Sequence, residues 1–163
     1  MSISRKVSGI ITAVAIVGAV ALAGCASSNM DGSAAIKDRR ALMKTISKNF
    51  KPIKAYVKSG KGSAADVAKH AKAINAATDQ FLALFPKGSG RGDYSAKETR
   101  ALPKIWMDWN GFKKANQVLA DESAKLASIA ASGNKQAIAK QYAAVGKLGC
   151  GGCHKPFRGK KVK

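Results

Sequence analysis

Cys150-Gly151-Gly152-Cys153-His154, near the end of a 163-residue chain, is the stretch from which the rest can be read. A C-x-x-C-H run is the attachment signature of a c-type haem. The two thiols add across the haem vinyl groups as thioethers, and the neighbouring imidazole binds the iron through a neutral ring nitrogen. Positions i, i+3 and i+4 share one side of a helix, so the spacing predicts a helix that turns all three groups toward one cofactor. Gly151 and Gly152 put no side chain between the thiols and the porphyrin edge. Two other chemistries use paired cysteines. A redox dithiol opens a helix in a βαβ setting, and this sequence has no such setting. A zinc site wants four ligands, and outside the run the chain has only Cys25 and His70 of those types. The cofactor expected is one covalent haem c.

Working back from the motif, the apolar residues fall at helical spacing. Ile138, Tyr142, Val145 and Leu148 form one face that continues into Cys150, Cys153 and His154, with Asn134 opening the helix. Before it, Lys104 to Ser132 reads as one helix, with Ile105, Phe112, Leu119 and Leu126 recurring at seven and Gly133 ending it. Trp109 reads as core packing, and Trp106 as a candidate to border the haem. Residues 86–103, broken by Pro86, Gly88, Gly90, Gly92 and Pro103, form a long connection. Ser63 caps a helix running to Phe85, with Asp66 completing a capping box and His70 lying exposed beside the apolar stripe. Residues 34–58 read as the first helix. Ile36, Met43, Phe50 and Val57 repeat at seven with Arg39, Ile46 and Ile53 interleaved, the seam of a bundle helix, and Pro52 predicts a kink or break within it. Four helices with no strand pattern predict an all-α fold, an antiparallel four-helix bundle over residues 34–163. The basic tail from Arg158 is expected to fray.

The start of the chain is a different kind of sequence. Arg5 and Lys6 precede an apolar stretch, Ile10 to Ala23, that ends in Leu22-Ala23-Gly24-Cys25. The stretch is short for a membrane span and reads as a signal peptide over residues 1–24. The ending resembles a bacterial lipobox, whose cysteine is lipidated and becomes the mature N-terminus. Ordinary cleavage after Ala23 is the alternative, and it leaves Cys25 a free thiol in an oxidising compartment. Three cysteines divide as two for haem and one for lipid. Residues 25–33 then tether a periplasmic domain to a membrane, with a soluble periplasmic protein as the alternative. Residues 1–24 hold two cations and no acid, so their removal lowers the formal charge from +20 to +18. That field favours acidic partners or anionic lipid. Nucleic acid is not expected, because no aromatic-rich binding motif accompanies the charge.

A C-x-x-C-H on the last helix of a four-helix chain resembles the class II c-type cytochromes, the cytochrome c prime family and its methionine-ligated low-spin branch. The likeness covers residues 34–158. It includes Ile36-x-x-Arg39-x-x-x-Met43, Phe85-Pro86, Pro103-x-Ile105-Trp106 and Arg158, four past the histidine. The resemblance implies haem held by Cys150 and Cys153, His154 on the iron, Arg39 on a haem propionate, and Arg158 near the proximal side. It also allows a homodimer through the first two helices. The residue four past Arg39 divides the family, being apolar where the iron is five-coordinate and methionine where a sixth ligand is supplied. From the residues alone Met43 is a thioether on the inward seam, either iron ligand or core filler, with Met107 as rival. With the resemblance, the expectation is a His154/Met43 pair. Such iron has no open position for substrate, so the expected function is an electron carrier, not an enzyme, serving an acidic redox partner protein. The alternative is five-coordinate iron that binds nitric oxide or carbon monoxide.

Overall fold

The computed structural model describes residues 31–162; the signal segment, Cys25 and most of the tether lie outside them. The described residues are mostly helical, with no strands and four long helical segments. α1 spans Gly32–Ser59, α2 Ala64–Ala77, α3 Lys104–Met107, α4 Trp109–Ala131, α5 Lys135–Ala144 and α6 Gly151–Phe157. A π-helical turn, Val145–Cys150, joins α5 to α6. The last three pieces form the fourth segment. α1 packs on α2, α2 on α4, and α4 on the fourth segment, closing the bundle.

The local causes are legible. Asp31 caps α1, and Gly60 ends it at φ 68°, a left-handed conformation that glycine adopts without steric cost. Ser63 and Asp66 form the expected capping box on α2, and Asn134 caps α5 through Ala137 N–H at 3.0 Å. Ile53, Ile74, Ile105, Phe112, Leu126, Ile138 and Val145 are fully buried at the bundle axis. Phe112 sits at the centre of an aromatic cluster. Its ring centroid lies 5.5 Å from Phe81, 4.7 Å from Phe85, 5.6 Å from Trp109 and 5.2 Å from Phe157. Phe157 is three residues past His154, so its burial anchors the helix that carries the histidine.

Several expectations are corrected. α1 runs through Pro52 without a break, which leaves only the kink of that expectation. Ile46 and Ile53, both buried, hold the helix on either side, and Lys48, whose carbonyl loses its N–H partner, is exposed to water. The second helix stops at Ala77, where Thr78 turns its hydroxyl back to Asn75 O at 2.6 Å and Asn116 Nδ2 takes the Thr78 carbonyl at 3.1 Å. A 3₁₀ turn, Leu82–Leu84, then delivers Phe81 and Phe85 to the core. The third helix breaks at Asp108, which caps α4 by accepting from Gly111 N–H at 3.0 Å. Leu148 is 47% exposed instead of continuing the apolar face. His70 is half-buried, with Nδ1 2.9 Å from Asn49 Oδ1. The tail is held and not frayed: Gly159 N–H donates to Arg100 O at 2.8 Å, and Arg100 Nε donates to Gly159 O at 2.8 Å.

Candidate functional site

The π turn shapes the helix that bears the motif. Val145, Gly149, Cys153 and Phe157 face inward at steps of four residues. A straight α-helix turns about 100° per residue and drifts about 40° over each such step. A wider π turn takes up part of that drift, and such turns recur at functional sites. It also brings the chain close to α4. A Cβ on Gly149 would lie 2.9 Å from Leu119 Cδ1 and 3.2 Å from Leu119 Cα, so only glycine fits this approach.

Cys150, Cys153 and His154 are all partly buried on this segment, and Cys153 packs against the core. Burial pushes the Cys150 thiol up and the Cys153 thiol up to about 11, so both are protonated near neutral pH. Burial, reinforced by the positive charges of Arg158 and Arg100, lowers His154 to about 4. The imidazole is therefore neutral, the form that ligates a metal. The groove beside it is lined by Arg100, Cys150, Gly151, His154, Lys155, Arg158, Gly159 and Lys160, four cations and no carboxylate.

α1 packs alongside the α5 part of this segment, as a facing wall. Phe50 stacks on Tyr142 with centroids 4.8 Å apart, which fixes α1 against α5. Beyond that contact α1 makes little or no contact with the π turn and α6. The two walls run antiparallel. Seven residues along an α-helix is about 10 Å, so Met43 lies level with Gly149–Cys150 and Arg39 level with Cys153–His154. Met43 is half-buried on this wall. Met107 is 84% exposed and belongs to no core contact, which removes the rival.

Arg39 is 6% exposed. Its Nη1 donates to Ser89 Oγ at 3.0 Å, and its Nη2 donates to the Ser89 carbonyl and to Thr99 Oγ1 at 2.7 Å. Its Cζ lies 5.0 Å over the Phe85 ring. These partners are neutral, and burial together with the nearby Arg40 charge lowers the guanidinium to about 10, so it remains charged. A guanidinium has five N–H donors, and the three bonds leave two. A buried cation without a carboxylate partner among the described residues suits a group that brings its own carboxylates, as haem does. Trp106 is half-buried, and its Nε1 donates to Phe85 O at 3.1 Å, which ties the start of α3 to the end of the second segment. Arg158 is exposed at the groove rim. Sequence reasoning missed Ser89, Thr99 and Gly149. Buried hydroxyls in a Gly-rich loop carry no periodic signal, and the Gly149 contact arises only from a distant helix.

A helical bundle with a basic groove beside a C-x-x-C-H helix defines a bundle-type c-type haem protein. The family model for cytochrome c′ matches residues 34–158, and the chain belongs to that family. It therefore carries one covalent c-type haem. A cytochrome c′ of Rhodospirillum rubrum is 32% identical over 128 residues, 78% of this chain and 84% of that one. A solved cytochrome c′, described by its ligand-controlled dimer dissociation, has a TM-score of 0.70 at 26% identity, covering 80% of this chain and 98% of its own. The nitric oxide complex of a single-residue variant of cytochrome c prime from Alcaligenes xylosoxidans has a TM-score of 0.68 at 25% identity, covering 79% and 97%. These relatives correct the expectation of a His/Met-ligated electron carrier. The family is that of cytochrome c′, and a structural neighbour holds a diatomic gas. The methionine four past Arg39 was the whole basis of the low-spin reading, and a thioether on an inward seam serves equally as apolar lining.

Proposed function

We propose that this chain is an exported, five-coordinate c-type haem protein that binds nitric oxide or carbon monoxide. The observation that carries the reading is its family membership, with a nitric oxide complex among its structural neighbours. Cys150 and Cys153 hold the haem, His154 is the protein's one axial ligand, and Arg39 uses its spare donors on a propionate. Trp106 and Arg158 border the haem. A haem iron with one open axial position supplies the Lewis acid that a diatomic gas binds. Met43 on the facing wall lines that open side as an apolar neighbour, and the Phe50–Tyr142 stack closes one end against water. In the test, ferrous protein titrated with carbon monoxide takes up one equivalent per chain. Uptake of none overturns the reading.

The partner and location readings rest on charge and on the N-terminal sequence. The basic groove at the rim suits an acidic protein. The association rate should fall steeply as ionic strength rises, because the Debye length shrinks from about 30 Å at 0.01 M to about 8 Å at 0.15 M. A rate indifferent to salt would leave the lysines as solubilising groups. A homodimer through α1 and α2 is consistent with the dimer described for the solved relative. Among the described residues no helix is long and apolar enough to cross a membrane. Lipid on Cys25 would attach the chain to a membrane. Intact-mass analysis should find the mature chain beginning at acylated Cys25. An unmodified N-terminus at Gly24 would make the protein soluble in the periplasm.

A further inference from the structure

α1 and the helix carrying His154 scarcely touch, yet one loop joins them. Thr99, 3% exposed, stands at the junction. Its hydroxyl accepts from Arg39 Nη2 at 2.7 Å and from Ala101 N–H at 3.2 Å. Its carbonyl accepts from Arg91 Nε at 3.1 Å. Arg91 Nη2 also donates to the Lys160 carbonyl, and its backbone N–H donates to Ala101 O at 2.8 Å. The chain then binds the far wall: Leu102 N–H donates to Phe157 O at 3.1 Å, and Gly159 pairs with Arg100. Thr99 thus touches α1 through one bond and reaches the residues just after His154 through the next ones.

We infer that Thr99 is a positioning residue: it sets the separation between the wall carrying Arg39 and Met43 and the wall carrying His154. The inference rests on the gas-binding reading and deepens it by naming what controls entry to the open side. Valine has nearly the shape of threonine but accepts no hydrogen bond. Thr99→Val therefore leaves an Arg39 N–H buried and unpaired, and the loop keeps α1 only through Ser89 and Lys97, away from the arm that reaches the far wall. Arg91→Gln loosens the other arm without touching Arg39.

The experiment uses the haem-loaded protein and three readouts: amide exchange at Leu102 and Gly159, the ferric electron paramagnetic resonance line shape, and carbon monoxide association after flash photolysis. In Thr99→Val both amides should exchange about tenfold faster, the size expected for losing one charge-assisted hydrogen bond. The ferric signal should broaden, and carbon monoxide association should rise by a similar factor. Thr99→Ser, which restores the oxygen, should return all three to the wild-type values, and Arg91→Gln should move them in the same direction as valine. Unchanged exchange in both variants overturns the strap. Faster exchange with an unchanged ferric signal reduces Thr99 to a structural residue and overturns its positioning role. Wild-type protein that takes up no carbon monoxide defeats the gas-binding reading alone, because exchange and the ferric signal still decide for or against Thr99.

Discussion

Replacing Cys150 and Cys153 together by alanine abolishes covalent haem, from one per chain to none. Both thiols sit on the last helical segment beside His154, where burial raises the pKa of each. With both gone, only the axial bond and the propionate contact proposed for His154 and Arg39 would remain, and neither survives acidified acetone. The bundle itself should persist, because Cys153 is only partly buried and Phe157 still anchors α6. The check is extraction followed by intact-mass analysis. Haem that stays with the double variant would place the attachment elsewhere and dismantle the site as described.

Gly149→Val should lower stability substantially while leaving the haem ligands in place. The new side chain meets the Leu119 Cα, a backbone atom that cannot rotate away. Overpacking of this kind costs about 3 kcal/mol. For a domain of this size that corresponds to a melting temperature lower by about 10 °C. Gly152 provides the control, since a Cβ there would meet no protein atom within 4 Å, and Gly152→Ala should stay within about 0.5 kcal/mol of wild type. A Gly149→Val protein that melts with wild type would mean that the close approach of the π turn to α4 is not what shapes the motif helix.

Much of the fold is local, and local signals are legible in a sequence. The Ser63–Asp66 capping box, the Asn134 cap and the seven-residue repeats of Ile36, Met43 and Phe50 each need only neighbours within two turns. What escaped the sequence depends on distant partners. Nothing near Pro52 says that Ile46 and Ile53 will hold the helix through it. Nothing in Val145–Cys150 says that Leu119 will press against Gly149 and the turn will widen. The basic tail reads as frayed until Arg91 and Arg100 in the long loop are seen to grip it.

The site divides in the same way. Cys150, Cys153 and His154 declare themselves by spacing, because the chemistry of attachment needs that spacing. Arg39 was legible only through resemblance, and its ties to Ser89 and Thr99 lie fifty and sixty residues away. Met43 shows the limit most clearly. Its place on the inward seam is readable, but the same seam position serves a ligand or an apolar wall, and the proposed function takes the wall.

The central claim is that His154 is the only protein ligand on the iron, and the ferric spin state tests it most directly. Electron paramagnetic resonance of the purified wild-type protein at neutral pH should show a high-spin ferric signal near axial symmetry, with no sulfur-to-iron charge-transfer band in the near infrared. Met43→Leu should leave that spectrum unchanged. A low-spin wild-type signal with the near-infrared band, both lost in Met43→Leu, would contradict the account and put the Met43 sulfur on the iron.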